Sequence, residues 1–238
     1  MSAMERKESQ RLRDALRRAG SNHKYKDMQK QRARLPACQM GDAIVKAVTE
    51  NQCVVISGET GCGKTTQLPQ LILDDLIRRL QGARANIICT QPRRISAIGV
   101  ADRVASERAE PLGKTVGYQI RLESSRSADT RLLFCTSGVL LRRMQCDPWL
   151  RGVSHVILDE VHERDLNTDF LLIVLRRLLR MRPDLKAVLM SATLNADLFA
   201  EYFGGCPVLE IPGRTHPVTT YFLEDAVDHS GYGGWPWW

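Results

Sequence analysis

Gly58-Glu-Thr-Gly-Cys-Gly-Lys64-Thr65 stands between an apolar run, residues 53–57, and a helix-prone stretch, residues 64–80. This order, together with the pattern G-x-x-x-x-G-K-[ST], predicts a strand, a tight glycine loop and a helix. The glycines let successive backbone N–H groups point at the oxygens of a phosphate. The helix that follows directs its positive end at the same anion. The stretch therefore predicts a loop that holds the phosphates of a nucleotide.

Each residue type in this loop has an expected contact. Lys64 is suited to bridge the β- and γ-phosphates, and Thr65 to ligate Mg²⁺. A glycine-rich turn with a solvated lysine is the alternative. The residues predicted to bind the nucleotide are Gly58, Glu59, Thr60, Gly61, Cys62, Gly63, Lys64, Thr65 and Thr66.

A second apolar run ends in two carboxylates, within Val156-Ile-Leu-Asp159-Glu160. Because Mg²⁺ prefers hard oxygen ligands and keeps several waters, Asp159 can hold the ion directly or through water. Glu160 can accept a proton from an attacking water or orient it. Alone, such a pair usually means solvated acids, but downstream of a phosphate-binding loop it predicts the metal site. The predicted metal residues are Thr65, Asp159 and Glu160.

Short apolar runs alternate with helical stretches along the chain, which is typical of a parallel sheet covered by helices on both faces. The predicted class is α/β, a three-layer αβα sandwich with a mostly parallel sheet. Strands are predicted at residues 53–57, 86–90, 116–122, 132–136, 155–159, 187–191, 208–211 and 218–223. Helices are predicted at residues 2–19, 41–50, 64–80, 93–109, 137–145, 166–181 and 196–203.

The composition limits the class of protein. The 238 residues have room for one sizeable α/β domain with tails, and 43% hydrophobic residues are ordinary for a soluble protein. No window approaches the roughly 18 uninterrupted apolar residues of a membrane helix, and no apolar secretory signal stands at the N-terminus. We therefore expect no membrane contact and a cytoplasmic or nuclear location. The seven cysteines form no C-x-x-C pair and are expected to be buried thiols.

The net charge of +7 lies entirely in residues 1–36, which hold 11 basic and 4 acidic side chains. Residues 1–35 are predicted to be a basic helical or flexible arm, with a linker over residues 21–36. This arm can add salt-sensitive affinity for nucleic acid or can simply be solvated. The nucleotide-binding domain is predicted over residues 36–223, and an unstructured tail over residues 224–238.

Several short motifs then make the chain resemble a known family. Asp159-Glu-Val-His162, continued by Glu163-Arg164, resembles the motif that names the DEAH/RHA group of superfamily 2 helicases, most of which act on RNA. Thr90-Gln-Pro-Arg-Arg-Ile-Ser-Ala97, Thr136-Ser-Gly-Val-Leu-Leu141 and Ser191-Ala-Thr193 resemble its motifs Ia, Ib and III. The resemblance covers roughly residues 35–225 and implies a RecA-like P-loop fold and ATP-dependent RNA helicase activity. The motif has Val161 where the DEAH motif has alanine, and in this it resembles the RHA-like branch of the family.

The resemblance also implies roles for single residues. Arg103 would stack on adenine, for which a guanidinium plane is suited, or it is a solvated helix arginine. His162, grouped with the catalytic residues Lys64, Asp159 and Glu160, would couple the ATP site to nucleic acid together with Ser191 and Thr193, or these groups are satisfied locally. Backbone contacts to nucleic acid are implied for Arg93, Arg94, Arg121, Thr136, Ser137 and Gly138; an ordinary salt bridge is the alternative for Arg121.

The family also implies a second RecA-like domain that supplies arginines from a Gln-x-x-Gly-Arg-x-Gly-Arg string, which does not occur in this sequence. An arginine finger is worth about 10³ to 10⁵ in rate in related NTPases. We therefore expect this chain alone to bind ATP weakly and to hydrolyse it poorly. A nonenzymatic fragment that binds ATP or RNA stays open as an alternative, and RNA rather than DNA follows from the resemblance alone.

Overall fold

The computed structural model describes residues 1–192, 196–213 and 219–231. Within these ranges one eight-stranded sheet has the order β4-β3-β5-β2-β6-β7-β1-β8. Every neighbouring pair is parallel except the antiparallel pair β3 and β4. The strands are β1 Cys53–Gly58, β2 Ile87–Gln91, β3 Val116–Ile120, β4 Glu123–Ser125, β5 Leu132–Thr136, β6 His155–Leu158, β7 Lys186–Ser191 and β8 Val208–Ile211.

Helices cover both faces of this sheet. Side chains alternate along β1, so that Val54 and Ile56 pack into a cluster with α4, α5 and α6, whereas Cys53 and Val55 pack with α7, α8 and α9. The predicted three-layer α/β class is therefore confirmed. The helices in the described ranges are α1 Ala3–Ala19, α2 His23–Arg32, α3 Pro36–Gln39, α4 Gly41–Glu50, α5 Lys64–Arg78, α6 Arg94–Glu107, α7 Ser137–Cys146, α8 Leu166–Met181, α9 Ala196–Tyr202 and α10 Leu223–Ser230.

The carboxyl ends of the parallel strands meet along one side of the sheet, which we call the carboxyl edge. β1 runs there into the glycine loop, and β6 runs into the pair Asp159 and Glu160. In open α/β sheets, ligands bind at this edge. The fold therefore brings motifs that are far apart in sequence to one side of the molecule.

The N-terminal helix α1 packs at the opposite side, the amino edge. Leu12 is buried in the same apolar cluster as α5, and the backbone N–H of Ala83, just before β2, donates to the hydroxyl of Ser9 at 3.1 Å. Arg11 donates to Asp129, which precedes β5, at 2.6 Å. These contacts join α1 to the loops that enter the sheet.

The prediction of a linker over residues 21–36 is wrong, since α2 occupies most of this segment. The side chain of Asn22 accepts a hydrogen bond from the N–H of Lys24 and caps the helix. Tyr25 and Arg32 are the buried residues of α2. A polar, basic composition concealed this helix, because its buried face is made partly by an arginine.

The strand predicted at residues 218–223 is also wrong in its described part. Residues 219–222 have no regular structure and α10 begins at Leu223, where the carboxylate of Asp225 accepts from the N–H of Phe222. The unstructured tail predicted from residue 224 is therefore helical as far as Ser230. Residue 218 and residues 232–238 lie outside the described residues.

The strand predicted at residues 116–122 ends early, at Ile120. The chain turns at Leu122, which has a φ of +67°, and returns as β4. A left-handed backbone at leucine is costly, so a leucine is not a residue that indicates a turn. The turn leaves the side chain of Leu122 98% exposed.

All seven cysteines are free thiols, but they are not all buried as predicted. Cys146, at the end of α7, is exposed, and Cys38 and Cys206 are half-buried. Within the ranges that the structure describes, none of the helices has both the length and the apolar character required to cross a membrane.

Candidate functional site

The glycine loop closes through two residues in the left-handed region of φ. Gly61 has a φ of +85° and Gly63 a φ of +94°, and Gly63 stands at the N-terminus of α5. Glycine adopts these angles without steric cost. Gly58 also lies against β8, where an added Cβ would come within 3.0 Å of the carbonyl oxygen of Ile211. The loop thus turns tightly into the first, unbonded N–H groups of a helix, an arrangement suited to an anion.

Lys64 is buried beneath this loop. Its Nζ donates to the carbonyl oxygens of Gly58 and of Glu59, the latter at 3.0 Å, and lies 3.7 Å from the Sγ of Cys62. Among the described residues, no carboxylate lies within ion-pair distance of this ammonium group. A phosphate would supply the missing negative charge, so the loop fits a nucleotide.

Asp159 is the buried carboxylate of the site. One oxygen accepts from the Nε2 of Gln91 at 2.7 Å, the other from the N–H of Glu160 at 2.9 Å, and Thr65 also donates to the carboxylate. Burial and the neighbouring charge of Glu160 raise the pKa of Asp159 to about 6, against the lowering effect of the Thr65 and Gln91 hydrogen bonds. A cation would offset this cost of burial.

The contact between Asp159 and Thr65 fits the predicted magnesium site. In the described ranges, no group of three or more His, Cys, Asp or Glu side chains is arranged to hold a metal ion. Mg²⁺ typically takes only one or two protein ligands and completes its shell with water and phosphate oxygens. A lone carboxylate beside the hydroxyl of Thr65 therefore suits Mg²⁺.

Gln91 was missed by the sequence reasoning. It is the last residue of β2, which pairs with β6, so its amide reaches the carboxylate that follows β6. In the sequence it is one residue of the motif Thr90–Ala97, with no role of its own predicted. A polar residue directly after the strand predicted at residues 86–90 was the only signal in the sequence, because the pairing of that strand with the Asp159 strand is seen only in the structure.

Glu160 and His162 lie in a constrained turn after β6. Glu160 has a φ of +53°, and its Oε2 lies 3.4 Å from the Nδ1 of His162. The N–H of Ala192 donates to this same Nδ1 at 3.1 Å, so Nδ1 carries a lone pair and cannot also donate to Glu160. The His162 ring therefore joins the carboxylate turn to the residue after β7.

Ser191, the residue before Ala192, lies next to the contact between His162 and Ala192. The hydroxyl of Ser191 is fully buried and has no hydrogen-bond partner among the described residues. An unpaired buried hydroxyl is costly, so it favours a rearrangement in which it gains a partner. Thr193, predicted to act with Ser191, lies outside the described residues.

A groove of about 980 Å³ lies at the carboxyl edge beside β3 and β5. Predicted residues Arg121, Thr136 and Gly138 line it, and no acidic side chain occurs among its described lining residues. We call it the arginine groove after the four arginines in its wall, three of which the sequence reasoning missed: Arg121, Arg126, Arg142 and Arg143.

The other predicted nucleic-acid residues differ in how they are presented. Arg93 is exposed and makes a surface ion pair with Glu163 at 3.4 Å, and Arg94 donates to the carbonyl oxygen of Arg121 at 3.4 Å. The salt bridge considered for Arg121 is not seen among the described residues. The hydroxyl of Ser137 is buried against that of Thr168 at 2.9 Å, so the structure does not bring it to the groove.

A parallel sheet with a glycine loop, a buried aspartate and an arginine groove along one edge defines a P-loop nucleotide-binding domain of RecA-like fold. The family model described as DEAD/DEAH box helicase matches residues 39–200, which is more than half of the chain. The chain belongs to the DEAD/DEAH box helicase family.

Several named helicases are similar to this chain. It is 63% identical over 201 residues to the DExH-box ATP-dependent RNA helicase DExH3 of Arabidopsis thaliana, covering 84% of the chain and 17% of that protein. Over 212 residues it is 58% identical to the putative ATP-dependent RNA helicase DHX57 of Homo sapiens, covering 89% and 15%. Identity to the ATP-dependent DNA/RNA helicase DHX36 of Bos taurus is 51% over 226 residues, covering 94% and 22%. The chain thus spans less than a quarter of these relatives.

Proposed function

We propose that this chain is the ATP-binding motor domain of an ATP-dependent RNA helicase, which couples ATP hydrolysis to movement along nucleic acid. The observation that supports this proposal is that the glycine loop, Asp159 and the arginine groove share the carboxyl edge of one sheet. A structural change at the nucleotide can therefore reach the groove through one layer of packed strands.

The proposed ATP site has a division of roles. Lys64 and the N–H groups at the start of α5 hold the phosphates, and Asp159 and Thr65 hold Mg²⁺. Bound Mg²⁺ neutralises part of the charge on the phosphate oxygens. Glu160, half-exposed beside the loop, orients a water and takes its proton. His162 fixes the turn that carries Glu160 through its hydrogen bond with Ala192.

Coupling to nucleic acid is proposed to pass through the end of β7. His162 links the Glu160 turn to Ala192, next to the unpaired hydroxyl of Ser191. A shift of the Glu160 turn would change the hydrogen bonds available to Ser191. Thr193 would respond in the same way by family resemblance.

RNA is proposed as the nucleic acid because the relatives DExH3 and DHX57 are named RNA helicases, while DHX36 is named for both DNA and RNA. Arginines suit phosphate contacts that carry no sequence information. Binding of matched RNA and DNA oligonucleotides that differ only in their 2′-hydroxyl groups tests this choice.

Neutralising the arginine groove is expected to weaken RNA binding. The double change Arg121→Gln and Arg142→Gln removes two exposed charges from the groove wall. We expect the affinity for a single-stranded RNA to fall about tenfold, and the salt dependence of log K to flatten by about 0.7 for each lost contact. Fluorescence anisotropy at several salt concentrations measures both quantities.

The matched control is Arg177→Gln with Arg180→Gln, which removes the same charge from exposed positions on α8. It should leave the salt dependence nearly unchanged. Equal losses in the two double variants would mean that only net charge matters and that the groove is not the binding surface.

If Asp159 holds Mg²⁺, a variant of Asp159 is expected to differ from a variant of a surface acid in how its ATP affinity responds to removal of the metal. In the wild-type chain, chelation of Mg²⁺ should weaken ATP binding about tenfold or more, because hard cations bind through oxygen ligands. Asp159→Asn keeps the shape of the side chain, and its ATP affinity should respond to the chelator much less, because Thr65 is then the only proposed protein ligand with full affinity for the ion. The control Asp42→Asn, an exposed acid on α4, should respond as the wild type does. A metal response of Asp159→Asn as large as that of the wild type would contradict the proposed site.

We also propose that this 238-residue chain, assayed alone, turns ATP over slowly. Its sequence contains no Gln-x-x-Gly-Arg-x-Gly-Arg string to place arginines against the γ-phosphate. Such arginines contribute about 10³ to 10⁵ in rate in related enzymes. Fast RNA-stimulated turnover by the purified chain would contradict this part of the proposal.

A further inference from the structure

A buried carboxylate on α6 connects three helices around the glycine loop. Glu107 is 1% exposed, and its Oε2 accepts from the Nε2 of Gln67 at 2.9 Å and from the Nε2 of Gln70 at 2.8 Å, both on α5. Its Oε1 accepts from the Nε of Arg103 at 2.8 Å. The carboxylate therefore links the helix that follows the glycine loop to Arg103.

The same network is anchored by Arg32 of α2, upstream of the region that the family model matches. The side chain of Arg32 is 5% exposed, and its Nε donates to the Oε1 of Gln67 at 2.6 Å and lies 3.7 Å from the Oε2 of Glu107. This bond fixes which way the Gln67 amide faces. Because its oxygen is taken by Arg32, its nitrogen must point at Glu107.

Arg103 itself is bound at one nitrogen and is otherwise exposed. Its Nε is bound to Glu107, yet its side chain is 56% exposed, so the guanidinium remains accessible to a ligand. A free arginine on a helix surface samples many rotamers. A charge-assisted bond to a buried carboxylate holds it in one of them.

We propose that Glu107 and Arg32 are positioning residues that hold Arg103 against the base of the bound nucleotide. This inference rests on the proposed ATP site and on the adenine contact that the family resemblance implies for Arg103. Without Arg32, the Gln67 amide loses its charged donor and can rotate away from the Glu107 carboxylate. The carboxylate then has fewer contacts to fix its position, so it no longer holds Arg103 in one orientation. Affinity for the base falls, while affinity for the phosphates does not.

The experiment compares two probes in the presence of Mg²⁺: ATP, and inorganic tripolyphosphate, which has the phosphates but no base. Arg103→Ala should weaken ATP binding about tenfold, as expected for loss of a cation–π contact, and leave tripolyphosphate binding unchanged. Arg32→Met should weaken ATP binding in the same selective way, whereas Arg32→Lys, which keeps a donor for Gln67, should restore most of the affinity. Lys30→Met, at an exposed position on α2, is the matched control.

Combining the variants makes the test decisive. If Arg32 acts through Arg103, the double variant Arg32→Met with Arg103→Ala should bind ATP no more weakly than Arg103→Ala alone. Additive losses, or equal losses of ATP and tripolyphosphate in Arg32→Met, would overturn the inference. An ATP affinity that Arg103→Ala leaves unchanged would also overturn it. Failure of the wild-type chain to bind either probe would instead reject the proposed ATP site.

Discussion

Replacement of Lys64 by alanine is expected to lower the affinity of the chain for ATP about 100-fold, the scale of a lost charge-assisted contact with phosphate. The Lys64 ammonium is held beneath the loop by backbone carbonyl oxygens. Alanine removes the positive charge and leaves the glycine loop and the N-terminus of α5 as the remaining anion donors. Titration with a fluorescent ATP analogue measures the change.

The control for this prediction is Lys46→Ala, which removes a lysine from an exposed position on α4. It should bind ATP as the wild type does. Thermal unfolding of both variants separates loss of binding from loss of structure. A folded Lys64→Ala variant with unchanged ATP affinity would show that the loop does not hold phosphates.

Glu160→Gln is expected to slow ATP hydrolysis about 10²- to 10⁴-fold, the usual contribution of a general base, while ATP still binds. Glutamine keeps the length of the side chain but cannot take a proton from water. The turn itself should persist, because His162 is held by Ala192 and not by Glu160. Single-turnover measurements, with protein in excess over labelled ATP, detect hydrolysis even when it is slow.

Glu163→Gln provides the comparison, since it makes the same change three residues away, at the surface acid that pairs with Arg93. Its hydrolysis rate should stay close to that of the wild type. The nonenzymatic alternative makes a different prediction: the wild-type chain would bind ATP, yet its rate would equal that of Glu160→Gln.

Local sequence was sufficient to predict both the structure and the role of a site where one short segment determines both. The glycine loop, its strand and its helix could be predicted because the motif and its flanks specify one backbone path. The pair Asp159 and Glu160 could be predicted because it ends a run of apolar residues. The alternation of strands and helices then required no further information to give a three-layer fold.

Contacts between distant segments could not be predicted in this way. Gln91 reaches Asp159 only because two strands 68 residues apart in sequence are neighbours in the sheet. The Glu107 network joins α2, α5 and α6, and no pattern of residue spacing in the sequence predicts these contacts. Arg142 lies outside the quoted motifs, and it lines the groove only because α7 forms one of its walls.

Errors in the secondary structure have physical causes as well. Helix α2 was missed because it buries Tyr25 and Arg32 instead of a regular apolar stripe. Residues 219–223 are apolar enough for a strand, but the N-cap at Phe222 starts a helix instead. The hairpin at Leu122 needs a backbone angle that leucine rarely adopts.

The position of α1 in the fold has an electrostatic consequence. The rest of the molecule is formally neutral, and the excess positive charge belongs to the N-terminal segment, part of which is fixed at the amino edge through Leu12, Ser9 and Arg11. The excess charge is therefore not concentrated at one edge, because α2 carries the other part of it past α5 toward the glycine loop, where the N–H of Ala37 donates to the carbonyl oxygen of Cys62. It is spread along the face of the sheet that α5 and α6 cover. In dilute salt, a polyanion would be attracted to this face over the whole length of the strands before it touches the domain.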